Sequence, residues 1–205
     1  MPLIHRIQRA IGLRWYALKP SDSLIAMIAD QGAGRNADML MEALKERLAH
    51  QDGSLDHVDW SAAKLNGALL SACRIKNARF SQARLRGAYF GYSEISAADF
   101  TLADLRESNF REANLQDAKF DGADLRDANF ARAILAGGSF NGADLAKANF
   151  WRADLRGADL QNASMLDCGM VDVLVNQATR LPDGEQVGGA VCWERYTAPG
   201  ETSGD

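Results

Sequence analysis

Little in this sequence points toward chemistry. Of its 205 residues only three are cysteine. Cys73 and Cys168 are too far apart in a regular structure to pair, so they read as buried thiols in place of a small residue, not as a disulfide framework. No apolar run reaches transmembrane length and no secretory signal with an apolar core and cleavage site is present, so a cytoplasmic, reducing setting is expected. A dominant charge is also missing. The formal net charge is −4, and residues 61–172 hold 14 basic and 14 acidic groups. Such a balance gives no electrostatic pull toward phosphate backbones, and direct nucleic-acid binding is not expected.

What is present is a register. An apolar residue recurs at every fifth position without a miss: Leu65, Leu70, Ile75, Phe80, Leu85, Phe90, and so on through Leu155, Leu160, Met165 and Met170. Two residues before each of these 22 centres stands a small side chain, nearly always Ala, otherwise Ser93, Ser108, Gly138, Cys73 or Cys168. A period of five fits neither a helix at 3.6 nor an alternating strand at 2. The units Ala103-Asp104-Leu105-Arg106-Glu107 and Ala128-Asn129-Phe130-Ala131-Arg132 resemble the pentapeptide-repeat family. The resemblance implies an all-β solenoid, a right-handed quadrilateral β-helix with four units per turn. In it the centre and the small residue point inward, the other three point outward, and the Asp or Asn before the centre bonds the backbone.

Taken at four units per turn, centres twenty apart share a side. Leu65, Leu85, Leu105, Leu125 and Leu145 form one column, and Ile75, Ile95, Leu115, Leu135 and Leu155 the opposite one. Phe80, Phe100, Phe120 and Phe140 face Phe90, Phe110, Phe130 and Phe150 between them. Aliphatic and aromatic columns therefore alternate around a filled interior that leaves no apolar residue of the register for an active site. A rod of about 5.5 turns would stand about 26 Å tall, with open sheet edges at both ends.

The chain divides accordingly. Residues 1–52 are expected to form a small α-helical N-terminal cap, with an amphipathic helix over 3–18 and shorter helices near 24–30 and 37–49. Residues 53–175 form the coil. Near Val175 the register fails, because Arg180 falls where a centre is due, and the Leu181-Pro182-Asp183-Gly184 turn closes the repeat. Residues 176–205 are expected to cap the end through Val187, Val191, Trp193 and Tyr196, with a frayed tail after Pro199.

Three outer features depart from a uniform polar coat. No acid occurs between Trp60 and Glu94, where Lys64, Arg74, Lys76, Arg79, Arg84 and Arg86 form a basic collar. It suits phosphate or an acidic partner, although acids of the third helix (Asp38, Glu42, Glu46) are the preferred counterpart. Leu69 and Tyr89 stack one turn apart with Tyr92 close by, an apolar patch for the 3–18 stripe, the third helix or a protein partner. Trp151 is a separate anchor on the same side about three turns on. Asp104, Asp124 and Asp144 form an acidic column beside Arg86, Arg106 and Arg126 and read as structural. His50 and His57 with Asp52, Asp56 and Asp59 lack a recognised metal-ligand spacing and read as loop polarity.

No histidine lies in the repeat and no cleft singles out one carboxylate pair, so no catalytic residue, metal or cofactor is assigned, and the chain reads as no enzyme. The leading expectation is a rigid interaction scaffold with a protein partner. Some members of the family resemble B-DNA in size and charge, bind type II topoisomerases and protect them from quinolone-type drugs. Mimicry over about 26 Å would need roughly 15 negative charges. The repeat nets zero, and its part from Glu94 onward holds 14 acids against 8 bases, so a topoisomerase partner ranks second. A membrane surface, met through residues 3–18 with Ile4, Ile7, Ile11, Trp15 and Leu18 on one stripe, ranks third.

Overall fold

A computed structural model describes residues 55–191 and 193–197. The expected helical cap, its membrane-facing stripe, the acidic counterparts Asp38, Glu42 and Glu46, and the tail after Pro199 all lie outside the described residues.

Between Leu55 and Leu181 the chain winds as a four-sided parallel coil. Each side contributes one bridging residue, the one before the centre, and pairs in parallel with the residue twenty positions on, as in Lys64 with Arg84, Arg84 with Asp104 and Asp104 with Asp124. Three backbone hydrogen bonds per unit tie one turn to the next. The N–H of Leu65 donates to the carbonyl of Arg84 (2.7 Å), that of Gly67 to Arg86 (2.8 Å), and that of Arg84 back to Ala63 (2.8 Å).

The corners explain why the period is five. Every fifth residue from His57 to Asp172 has a positive φ, with six glycines and 18 other residues at 53–62°. At most corners the N–H following the positive-φ residue closes a tight turn onto the preceding centre, as Ala68 does onto Leu65 at 3.1 Å. One left-handed residue per unit is what bends the chain from side to side. That conformation costs a non-glycine residue roughly 1–2 kcal/mol. The corner N–H, bonded to the next turn, helps to offset it.

Asp or Asn in the bridging position reinforces the bend. The carboxylate of Asp99 accepts the N–H of Thr101 at 2.9 Å, Asn109 that of Arg111 at 2.9 Å, and Asn149 that of Trp151 at 3.0 Å. These side chains hold the turn's first peptide two residues on.

Inside, the columns stand as their spacing predicts. Phe80, Phe100, Phe120 and Phe140 stack nearly parallel at 4.8–5.1 Å, and Phe90, Phe110, Phe130 and Phe150 at 4.8–5.0 Å. The two stacks meet edge to face, with Phe90 and Phe100 at 82°. All eight phenylalanines of the chain are spent here. The core begins earlier than the 22-centre register, for Leu55 and Trp60 are also buried and Trp60 heads a stack at 5.2 Å from Phe80.

At the far end the structure corrects the expected stop near Val175. The ladder runs on, with one residue inserted: Asp154 bridges Leu174, twenty on, but Asp159 bridges Arg180, twenty-one on. Arg180 is thus a bridging residue, and Leu181, not Arg180, occupies the inward position, where it is buried. Thr179 makes the slip possible. Fully buried, its hydroxyl donates to the carbonyl of Leu155 (2.9 Å) and accepts the N–H groups of Gly157 (3.1 Å) and Asn176 (3.2 Å). Beyond the Leu181–Gly184 turn the chain folds back, Gln186 pairing antiparallel with Arg180. A four-residue helix, α1 (Glu194–Thr197), follows. Val187 is buried, and Trp193 and Tyr196 pack on the core. Val191 is half-buried but is not among the residues packed on that core.

Candidate functional site

The four sides carry different surfaces because each outward column repeats every twenty residues. On the side whose centres are Leu85, Leu105, Leu125 and Leu145, acids and arginines interleave. Arg106 grips Asp104 with two hydrogen bonds (2.8 and 2.7 Å) and reaches Asp124 at 3.5 Å. Arg126 grips Asp124 in the same way (2.8 and 2.7 Å) and reaches Asp144 at 3.6 Å. Bonding from Arg106 and Arg126 holds the carboxyls of Asp104 and Asp124 below the usual aspartate range. Arg156 does the same to Asp154 on the opposite side. The acidic column is a neutralised, ladder-like brace.

The basic collar is largely satisfied by acids the sequence reading did not pair with it. Arg74 meets Asp56 at 3.0 Å, Lys76 meets Glu94 at 3.5 Å, Arg79 meets Asp59 at 3.7 Å and Arg86 meets Glu107 at 2.6 Å. Lys64 and Arg84, one turn apart in a single column, make no ion pair among the described residues. Asp56 and Asp59 also accept backbone N–H groups, from Lys76 and Ser61. His50 and Asp52 lie outside the described residues, and no metal-holding cluster exists among the described ones.

The side centred on Leu70, Phe90, Phe110, Phe130 and Phe150 is different. Leu69 and Tyr89 are bridging partners on adjacent turns, and both are exposed. The Tyr89 ring lies over Gly91, where an added Cβ would sit 3.2 Å from it, so the glycine lets the ring lie flat on the backbone. Tyr92 occupies the adjoining corner at φ 62°, its N–H donates to the Arg111 carbonyl at 3.0 Å, and its hydroxyl raises the pKa of the Arg111 guanidinium. Further along, Trp151 is half-buried between two guanidinium groups, Arg132 at 4.9 Å and Arg152 at 4.8 Å from the ring centroid. These arginines are themselves held by Glu112 and Asp172. The sequence reading found Trp151 and missed its arginines, although corner positions twenty apart place Arg132 and Arg152 beside it. It also passed over exposed Leu102, Ile134, Leu166, Val171 and Leu174, each at an outward position of the register.

The family model for pentapeptide repeats matches in eight copies over residues 54–91, 63–101, 93–127 and 123–162, together more than half the chain. No curated protein matches. Similar solved structures include the pentapeptide repeat protein Rfr23 from the cyanobacterium Cyanothece 51142, at 16% identity, TM-score 0.37, covering 67% of this chain and 97% of that one. QnrB1, a plasmid-mediated fluoroquinolone resistance protein, aligns at 20% identity, TM-score 0.31, over 60% of this chain and 91% of its own. A pentapeptide repeat protein from the Arabidopsis thaliana thylakoid lumen aligns at 24% identity, TM-score 0.26, over 58% and 69%. With its unbroken five-residue units and parallel four-sided ladder, the chain belongs to the pentapeptide repeat family, whose members form right-handed quadrilateral β-helices.

Proposed function

We propose that this protein is a rigid, non-enzymatic interaction scaffold whose protein partner docks on the side carrying Leu69, Tyr89, Tyr92 and Trp151. One observation carries the reading. Tyr89, Tyr92 and Trp151 are the outward aromatic residues among the described part of the coil, and all three stand on the same side. The core consumes every other aromatic ring of the coil, so chance placement around four sides is a poor account of this one. Tyr89 and Trp151 are separated by three turns of 4.8–5.0 Å each. Between them lie Arg111 and Arg132, with Arg152 just beyond Trp151, and Tyr, Trp and Arg are the residue types that dominate binding energy at protein interfaces. The collar residues Lys64 and Arg84, free of acidic partners within the described residues, add a positive margin on the adjoining side.

Affinity capture from the native host tests this reading. The intact chain should recover a partner that the Tyr89→Ala/Trp151→Ala double variant does not; equal recovery by both would reject the docking side. The topoisomerase reading rests on the acid excess after Glu94, and the Asp104–Arg106–Asp124–Arg126–Asp144 ladder weakens it by neutralising one column of that excess. A gyrase supercoiling assay with and without fluoroquinolone separates it, since a mimic must change one of the two. The membrane reading belongs to residues 3–18, and flotation with liposomes of the intact chain against one lacking residues 1–20 decides it.

A further inference from the structure

We propose that the last turn of the coil is a strand-docking edge, to which an extended, uncharged apolar segment of a partner protein adds across residues 170–175 as one more parallel rung. In each inner turn the N–H groups of centre and corner residues donate to the turn that follows. Phe150 donates to Gly169 (2.8 Å), Arg152 to Val171 (2.9 Å) and Leu155 to Leu174 (2.8 Å). The equivalent donors one turn on belong to Met170, Asp172 and Val175, and these have no acceptor among the described residues. Next to them, at the preceding corner, the N–H of Asp167 does have one: the carbonyl of Thr197, at the end of α1, at 2.7 Å. A backbone carbonyl thus already fills one place on this rim, and no described residue fills the next three.

The side chains around the open places describe the occupant. Val171 and Leu174 are 61% and 53% exposed, one on each side of the Asp172 corner. Parallel rungs stack like on like, so a segment seated here needs an apolar residue over Val171 and another, three positions later, over Leu174. Over Asp172, whose φ is 56°, it must itself turn the corner, which favours Gly or Asn, and over half-buried Val173 it needs a small residue. Charge is not called for, because Asp172 is paired with Arg152 (3.2 Å) and Asp154 with Arg156 (2.6 Å). Residues Ala198-Pro199-Gly200-Glu201-Thr202-Ser203-Gly204-Asp205 include no branched apolar or aromatic side chain that would match Val171 and Leu174. An open edge flanked by exposed apolar groups is the setting in which proteins take up a partner's strand. This edge lies four turns from Tyr89 and one turn beyond Trp151, whose column Val171 continues.

The experiment pans a display library of random dodecapeptides against the immobilised full-length chain, with amide hydrogen exchange of the free and peptide-bound protein. Recovered peptides should share the order apolar, Gly or Asn, small, apolar, and should slow exchange at Met170, Asp172 and Val175. Val171→Lys and Leu174→Lys should each weaken binding at least about tenfold, while Tyr89→Ala leaves it unchanged. Failure to recover a peptide of that order, or equal binding to the lysine variants, overturns the proposal. Slow exchange of the three amides in the free chain also overturns it. Protection independent of concentration would assign the edge to the chain's own tail, and concentration-dependent protection to a second copy. The exchange measurement uses the unaltered protein, so it decides the matter even if a lysine variant fails to fold.

Discussion

The turn around Phe100 to Leu115 and the turn around Met165 to Leu181 follow the same five-residue rule, and they differ by one inserted residue. In the inner turn every inward place is filled by a ring or branched chain that touches its like above and below, and every centre N–H is bonded. In the last turn the inward residues are Met165, Met170, half-buried Val175 and Leu181, the register slips between Leu174 and Arg180, and a buried hydroxyl replaces the regular ladder. Self-similarity stabilises the interior because each layer supplies its neighbour's partners. The end has no next layer, so its satisfaction depends on single residues with no counterpart elsewhere.

The contrast leads to expectations of decreasing size. Phe120→Ala, in mid-stack, leaves a cavity between two rings that cannot close, and should cost about 3–5 kcal/mol. The same truncation of Met165 at the end should cost less, and chemical denaturation of both variants measures the difference; equal losses would contradict it. Thr179→Val removes the hydroxyl that holds the inserted residue and leaves the Asn176 N–H without its acceptor, while Gly157 keeps the Asn176 side chain and the Leu155 carbonyl keeps the Ala158 N–H, for about 1–3 kcal/mol. Amide exchange should quicken at Gly157 and beyond while the inner turns stay protected.

The third expectation concerns pH. Bonding from Arg106, Arg126 and Arg156 depresses Asp104, Asp124 and Asp154 below their unfolded values. Depressed carboxyls stabilise the fold wherever they are ionised in both states, and that contribution is lost as pH falls through their folded values. Melting temperature should therefore be flat from about pH 5 upward and should fall below about pH 4. A drop between pH 6 and 7 would point to another group. The inner ladder should show this most, since the last turn lacks such pairs in its column beyond Asp144, where Ser164 follows.

The smallest effect belongs to a corner. Leu102 adopts φ 58° with its side chain over Gly122 and largely exposed. Leu102→Asn accepts the left-handed conformation more easily and should stabilise by about 0.5–1 kcal/mol. A loss instead would show that the contact with Gly122 outweighs the strain. Cys168 offers a check of the end layer at no cost in stability. Burial pushes its thiol up to about 12, so it should resist alkylation at pH 8 until the chain unfolds.

The register could be read directly because it is a local rule: one inward centre, one small neighbour, one left-handed corner. From it come the alternating stacks, the sides on which Tyr89 and Trp151 stand, and the bonding role of Asp99 or Asn109. Pairing within the surface could not be read as easily. The acids of the third helix that the sequence offers to the collar lie outside the described residues, and within them Asp56, Asp59, Glu94 and Glu107 supply four of its partners. Those acids sit about one turn away in space, 18 to 21 residues away in sequence. Side-chain reach, not register, selects them. Arg132 and Arg152 escaped notice for the same reason, since their importance lies in what stands between them.

Sequence alone was enough for the coil, its four sides and its filled interior, because each five-residue unit carries its own instructions for turning and burying. Three-dimensional packing was needed for the place where the repetition stops. That Arg180 bridges and Leu181 faces inward depends on Thr179 reaching Leu155, 24 residues earlier. Packing also decides that the N–H groups of Met170, Asp172 and Val175 meet no acceptor among the described residues, since only the assembled coil shows which rungs have a neighbour.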